Sequence, residues 1–301
     1  AQGRPARIGI LGPPEEPRFS EIRDGLKQGL RDLGYSEQAI EILEARVPRG
    51  DRAGVRASVE KFIQQRVKVL FAIGSKMAKP ARKVSEDLPI VYITPGDPVK
   101  HGLADSLRHP GGNTTAMTFE HPGLAGKRLE ILKQILPRAS RVLILYDPRD
   151  GSPRRGAKAA RKAAPKLGLT LVERETRKSD DVGRGLKALD KVDAFLAVPG
   201  GLPTGYYSEI IRMANAKRVP TMFHARTGST MGALASYGTS DKEIARQASR
   251  YVGKILKGEK AGNLPIARPK KVDFVINLKT AKKIGLTIPP EILMQADKVI
   301  K

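Results

Sequence analysis

The sequence predicts an α/β protein made of two strand–helix arrays in tandem, each with a parallel sheet. Three observations carry this reading. Short apolar runs rich in β-branched residues recur at 67–73, 90–93 and 142–146, and runs without polar alternation mark strands buried on both faces. Between the runs, apolar residues repeat at helical spacing, and strands alternating with helices at this interval argue right-handed crossovers. After Thr118 the pattern restarts instead of ending, and 301 residues with 40% apolar content supply material for two cores.

The elements follow in order. The first strand, 6–11, is broken by the Pro- and Glu-rich loop 12–17, and a helix over 19–33 carries Ile22, Leu26, Leu30 and Leu33 on one face. Gly34 supplies the left-handed residue that ends it. The unit repeats as a strand at 40–45, a helix at 55–65 with Val59, Phe62 and Ile63 inward, a strand at 67–73 and a short helix at 77–84. Strand 90–93 is stopped by Pro95 and Gly96, and a second short run ends at Thr118. The second array reads as helix 124–136, strand 142–146, helix 155–167, strand 169–173, helix 182–189, strand 194–198, helix 206–216 and strand 219–223. A strand at 233–237 leads into a long helix at 240–256 with Ile244, Ala248, Tyr251, Val252 and Ile255 on one face. Strand 272–278 and helices near Ala281 and Ile292 close the chain.

Composition removes whole classes of function. There is no cysteine, hence no disulfide framework, thiolate metal site, cysteine nucleophile or lipidated amino-terminal cysteine. No run approaches the ~20 apolar residues that span a bilayer, so a soluble chain is expected. The opening Ala1, Gln2, Gly3 reads as a mature terminus left by signal-peptide removal, or as a trimmed start, and a periplasmic location is expected. Lys plus Arg number 55 against 31 Asp plus Glu, a net charge of +24. The cations are spread over nearly every helix, densest over 149–191, without an aromatic-interleaved stripe, so a solvated basic surface outweighs specific nucleic-acid binding. Such a surface draws anions or anionic headgroups at long range. No GxSxG, GxxxxGK[ST], GxGxxG or HExxH motif is present, so no enzyme is expected. The four histidines, 101, 109, 121 and 224, lack paired spacing, and solvated loop positions explain them better than a metal.

Seven motifs in one order carry a family resemblance: GDPV at 96–99, PGGNT at 110–114, GKRLEILK at 126–133, SYG at 236–238, ILKG at 255–258, NLKTA at 277–281 and GLTIPP at 285–290. Over nearly the whole chain the sequence resembles the solute-binding proteins of ABC-type importers, in the branch with tryptophan- and tyrosine-type binders. The resemblance implies two Rossmann-like lobes of the type I periplasmic binding protein fold, joined by a three-strand hinge. Crossings near Phe119, Thr239 and Leu278 would give an N-terminal lobe of 1–118 plus 239–277 and a C-terminal lobe of 119–238 plus 278–301, with a ligand cleft between. It also implies a monomer without cofactor whose partners are a small molecule and a membrane permease. A sensor that reports to a membrane receptor, or a sugar or nucleoside binder, is the alternative.

The residues point independently to the loops at strand carboxyl ends, where ligands of open α/β sheets bind. Ser75 and Lys76 start a helix whose amides suit a carboxylate, although Ser75 also reads as a simple N-cap. Asp97, Asp147 and Asp241 are placed for a ligand ammonium or hydroxyls, while turn chemistry explains Asp97 and Asp147 as well, and the helix dipole explains Asp241. Phe119, Tyr146, Phe223 and Tyr237 fall at strand ends and are candidates to sandwich a planar ligand, or else core residues. Gly200 lies in a Pro-Gly-Gly turn where, by the resemblance, many relatives carry an acidic or amide residue, and Lys76 stands where a small residue is commoner. Both departures favour an aromatic or other apolar acid as ligand.

Overall fold

The computed structural model describes residues 4–14, 18–119, 122–269 and 271–301, and the chain divides into two units, Ala1–Phe119 with Asp241–Lys270 and Glu120–Ser240 with Lys271–Lys301. In chain order the elements are β1 (Ala6–Gly12), α1 (Arg18–Asp32), β2 (Ile40–Arg46), α2 (Arg52–Gln64), β3 (Val69–Ile73), α3 (Ser75–Val84), β4 (Ile90–Thr94) and β5 (Thr114–Thr118). Then come α4 (Pro122–Ile135), β6 (Arg141–Tyr146), α5 (Gly151–Ala163), β7 (Thr170–Glu175), α6 (Ser179–Leu186), β8 (Ala194–Leu196), α7 (Tyr207–Ala216), β9 (Thr221–Phe223), α8 (Arg226–Thr230) and β10 (Ala235–Gly238). Last are α9 (Asp241–Leu256), β11 (Asp273–Asn277), α10 (Leu278–Ile284), α11 (Pro290–Gln295) and β12 (Lys298–Ile300).

The first unit is a five-stranded sheet in the order β2-β1-β3-β4-β5, parallel throughout. Successive side chains of a strand take opposite faces, and both faces are covered. Val69, Phe71 and Ile73 pack with α1 and α9, while Leu70 and Ala72 pack with α2 and α3. The α1–α9 contact depends on two missing side chains. A Cβ on Gly25 would lie 2.1 Å from the Lys242 carbonyl oxygen, and one on Gly29 would lie 2.3 Å from the Arg246 carbonyl oxygen and 2.1 Å from Ser249 Oγ. One turn apart, the two glycines bring the helix backbones together. The amino termini of the same helices are joined by the ion pair of Arg18 Nε with Asp241 Oδ1 at 3.1 Å, the carboxylate being 3% exposed.

The second unit is a seven-stranded sheet in the order β12-β11-β10-β9-β8-β6-β7. Val142, Ile144 and Tyr146 face a core shared with α4, α5, α10 and α11, and Leu143 and Leu145 face one shared with α6 and α7. The sheet departs from the parallel expectation at one pair: β10 and β11 run antiparallel, with Gly238 opposite Asp273. The register explains it. The chain leaves the sheet at the carboxyl end of β10 and returns beside that point, so β11 must run the other way. For the same reason the third crossing precedes Lys271 instead of lying near Leu278, and 271–277, assigned by sequence to the first lobe, belongs to the second unit, where β11 pairs with β10. Thr239 and Ser240 also belong to the second unit. The short α8 and β12 have no counterpart in the sequence reading, because five and three residues are too few to show a period.

Arg128 of α4 is 1% exposed and lies under the second sheet's carboxyl edge. Its Nε donates to the Tyr237 carbonyl at 2.7 Å and its Nη2 to the His224 carbonyl at 3.4 Å, holding the ends of β9 and β10. Those ends are in contact, since a Cβ on Gly238 would fall 1.7 Å from the His224 carbonyl oxygen. His224 itself is buried, with Nδ1 3.2 Å from the Tyr207 hydroxyl, so it is not a solvated loop histidine. His101 is half-buried against Gly96 and His109 is exposed, while His121 lies outside the described residues.

Two stability changes follow from these contacts. Gly29→Ala should cost ~1–3 kcal/mol, near the upper end because a backbone carbonyl cannot swing aside. Gly183→Ala, in α6 with open space around it, should be neutral or stabilising by up to ~1 kcal/mol. Urea unfolding of both variants checks the pair, and equal midpoints would contradict the close helix contact. Arg128→Met, which strips buried carbonyls of their donor, should cost ~2–3 kcal/mol. Arg154→Met on the exposed side of α5 should leave the midpoint unchanged.

Candidate functional site

In a doubly wound sheet the ligand crevice opens where successive crossovers turn to opposite sides. The strand orders place that point between β1 and β3 in the first unit and between β6 and β8 in the second. The first is framed by the end of β1, by Arg18 at the start of α1, and by the turn after β3, which leads to Ser75. The second is framed by 147–153, which opens α5, and by 199–204.

At the first switch point Gly74 is the cap of α3, with φ +96° and no side-chain cap bond, and Ser75 is the first helical residue. The N-cap reading of Ser75 is therefore corrected. A glycine takes the positive φ that a serine resists, and with no side-chain cap the terminus keeps the partial positive charge of a helix start at this turn. The Gly74 amide donates to the Ile93 carbonyl at 2.8 Å, which fixes this turn to the neighbouring strand. Arg18 heads α1 on the other side of the crevice. The sequence reading passed over it, although a cation just after the β1 loop was a legible signal. Its partner Asp241 is thereby engaged within the protein and is 2% exposed.

Asp97 lies beyond β4, the next strand along. Its Oδ1 accepts the amides of Val99 and Lys100 at 3.1 and 3.3 Å, the turn chemistry weighed against ligand contact. Thr94 and Thr118 pin the same loop, Thr94 Oγ1 accepting the Gly96 amide and Thr118 donating to the Gly96 carbonyl. Phe119, 9% exposed, packs into the core with Ile93 and Met117.

At the second switch point Asp147 is 4% exposed. Arg149 neutralises it through Nε and Nη2, both at 2.9 Å, and through its amide at 3.0 Å. Asp150 caps α5 by accepting the Ser152 amide. The β8 loop lies on this loop because Gly200 and Gly201 have φ of +88° and +75° and no side chains. A Cβ on Gly201 would stand 3.1 Å from both Asp147 Cβ and Pro153 Cγ, and one on Gly200 would stand 3.6 Å from Ser152 Cβ. It is thus Gly201, next to the predicted Gly200, that approaches Asp147, while Gly200 lies against Ser152 and Pro153.

The aromatic candidates divide. Phe223 is fully buried, edge-on to Tyr207 with ring centroids 4.8 Å apart. Tyr146 points into the core, where burial, with the Glu173 and Glu175 carboxylates, pushes its phenol up. Tyr237 alone of the four is half-buried, with its ring 6.4 Å from that of Phe274. Two residues that the sequence reading missed stand at this edge. Ser152 Oγ and Thr204 Oγ1 are buried and make no hydrogen bond; each sits beside a proline just after a strand end, which was the available signal. Among the described residues no group of three His, Asp or Glu side chains is arranged to hold a metal, and no helix is long and apolar enough to cross a membrane.

Comparison with known proteins agrees with this architecture. A curated tyrosine-binding protein of Clostridioides difficile (strain R20291) is 24% identical over 280 residues, covering 93% of this chain and 81% of that protein. A solved conserved domain protein from Vibrio cholerae O1 is 27% identical with a TM-score of 0.87, covering 98% of this chain and 100% of that one. An ABC domain solved in complex with L-Trp from Streptococcus pneumoniae is 23% identical with a TM-score of 0.86 and the same coverage, a likeness of fold. The family model for ABC transporter substrate binding proteins matches residues 7–300, and the chain, two Rossmann-like lobes of the type I periplasmic fold, belongs to that family.

Proposed function

We propose that the protein is the extracytoplasmic capture component of an ABC-type importer, handing a small carboxylate-bearing molecule to a membrane permease. The ligand we assign is an aromatic amino acid or a related acid, with its carboxylate at the amino terminus of α3. The observation that carries this reading is the uncapped α3 terminus, opened by Gly74 at the first switch point. Ser75 then supplies a hydroxyl and an amide, Lys76 adds positive charge, and Arg18 borders the same crevice. The relatives named for tyrosine and crystallised with L-Trp support an aromatic amino acid.

The other candidates take lesser parts. Asp97 and Asp241 order the edge through the partners described above, which weakens a sugar or nucleoside held by those carboxylates. Asp147 and Gly200 shape the second edge, and Tyr237, the half-buried ring among the four aromatics, is the one we assign to ligand contact. Phe119, Tyr146 and Phe223 support the strand ends from within. We assign no catalytic step, and we take the protein to act as a monomer. The basic surface serves attraction to anions in place of nucleic-acid recognition. Arg154, Lys158 and Lys162 recur every fourth residue on the exposed side of α5, where the neighbouring Arg161 is paired with Glu173, and such a row on one helix is the pattern of a solvated basic face.

A thermal-shift screen of amino acids, aromatic acids, sugars and nucleosides tests the reading, since a ligand at a hundredfold excess over its Kd adds ~2.7 kcal/mol. Ser75→Ala should weaken binding of the acid about tenfold or more, because a hydrogen bond to a charged group contributes ~1.5–3 kcal/mol. The amide of the same ligand should bind poorly. An amide that binds as tightly as the acid would overturn the carboxylate assignment and restore the sugar or nucleoside alternative.

A further inference from the structure

A hollow of about 530 Å³ lies wholly within the first unit, at the amino-terminal edge of its sheet, where Ala6 begins β1 and Lys68 and Pro89 directly precede β3 and β4. Its walls are Ala6, Tyr35, Pro89, Ile255 and Leu256. Apolar walls with a few polar groups, at a volume within ~300–1,000 Å³, are the make-up of a small-molecule site. Tyr35 is fixed at both ends. Gly34, with φ +87°, ends α1 so that the Tyr35 amide donates to the Leu30 carbonyl at 3.1 Å, and the Tyr35 hydroxyl donates to the Gly253 carbonyl at 3.3 Å. Gly253 makes room for this packing, since a Cβ there would stand 3.0 Å from Leu33 Cδ1 and 3.6 Å from Tyr35 Cε2. The ring is thus a preorganised wall, and a second hollow of about 220 Å³, between α1 and β2, lies against it too.

The charged groups here divide into matched and unmatched. Glu259 pairs with Lys254 at 3.2 Å, and Arg31, beside the smaller hollow, pairs with Glu37 at 3.1 Å. Lys68 and Lys260 line the larger hollow, are exposed, and have no ion-pair partner among the described residues. Capping does not account for them. The last carbonyls of α9 are already taken by backbone amides, Gly258 donating to Ile255 at 2.9 Å and Glu259 to Lys254 at 3.1 Å. A free amino acid brings an ammonium that the two lysines repel, and a sugar would leave most of its hydroxyls against apolar walls. An anion with an apolar body meets both features.

We propose that this hollow is a second ligand site, taking an alkyl chain that ends in one acidic group, with the chain against Tyr35, Ile255 and Leu256 and the acid held by Lys68 and Lys260. The site belongs to one unit and lies at the opposite edge of its sheet from the α3 terminus, so it stands or falls independently of the capture reading. Burial of the chain supplies most of the affinity. The exposed lysines add the preference for an anion, about two- to fivefold each, and that preference fades as salt rises.

Calorimetric titration of the whole protein with octanoate and with 1-octanol, which share a chain and differ in the acid, tests this. Octanoate should bind saturably, and about fivefold or more tightly than 1-octanol at low salt. Lys68→Gln and Lys260→Gln should each weaken octanoate about two- to fivefold and leave 1-octanol unchanged. Leu256→Gln should weaken both ligands alike, with a urea midpoint to confirm that the variant is folded; the exposed lysine variants decide alone if it is not. Ser75→Ala at the α3 terminus should leave octanoate binding as it was. Octanoate that does not bind, that binds no better than 1-octanol, or that is indifferent to both lysines overturns the inference. A loss on Ser75→Ala also overturns it, because octanoate would then sit at the α3 terminus, and that result would support the carboxylate assignment made there.

Discussion

Close contact between α1 and α9 governs how this chain is divided. Gly25 and Gly29 leave no side chain between the helix backbones, and the Arg18–Asp241 pair joins their amino termini. That contact requires the chain to return to the first unit after completing β10, and then to cross again to form β11. The discontinuous units, the three crossings and the antiparallel pair in the second sheet are therefore one consequence, not three. Buried apolar area alone would not select this arrangement, because α9 is amphipathic and would cover many apolar faces. Two missing Cβ atoms and one ion pair specify which face it takes.

A similar economy runs through the polar residues at the strand ends. Of the predicted carboxylates, Asp241 is held by Arg18, Asp147 by Arg149, and Asp97 by two amides of its own turn. Each makes the protein's own structure before it can serve a ligand. What is left to offer outward is the complement of that list: helix amides not capped by a side chain. Arg128 prepares the setting by bonding to the carbonyls of β9 and β10.

The sequence made most of the fold legible because it rests on strong periodic signals. The runs at 69–73, 90–94 and 141–146 are buried along nearly their full length, and the sequence reading found each within two residues. The missing parts have physical reasons. The antiparallel β10–β11 pair depends on where the chain re-enters a sheet, which no local pattern encodes. Gly25 and Gly29 read as ordinary helix glycines, since the backbone they admit lies more than 200 residues away. At the site, strand ends named the right loops but not the right atoms. Phe223 was indistinguishable from a ligand-facing ring until its packing against Tyr207 was seen, and Ser152 and Thr204 looked like turn residues until their hydroxyls proved to be without partners.

Charge separates the surface from the site. The chain carries +24 overall, yet at the second switch point Asp147 is paired with Arg149, and the first owes its positive character to a helix terminus and few side chains. Scattered surface cations act over roughly a Debye length, ~8–10 Å in physiological salt, so they raise the local concentration of an anion without choosing among anions. Helix amides, by contrast, act only at contact and impose a direction on the carboxylate they hold. Attraction and selection thus fall to different atoms. The basic surface is free to vary in position and number, whereas Gly74, Ser75, Gly200 and Gly201 are tied to the backbone path that forms each crevice.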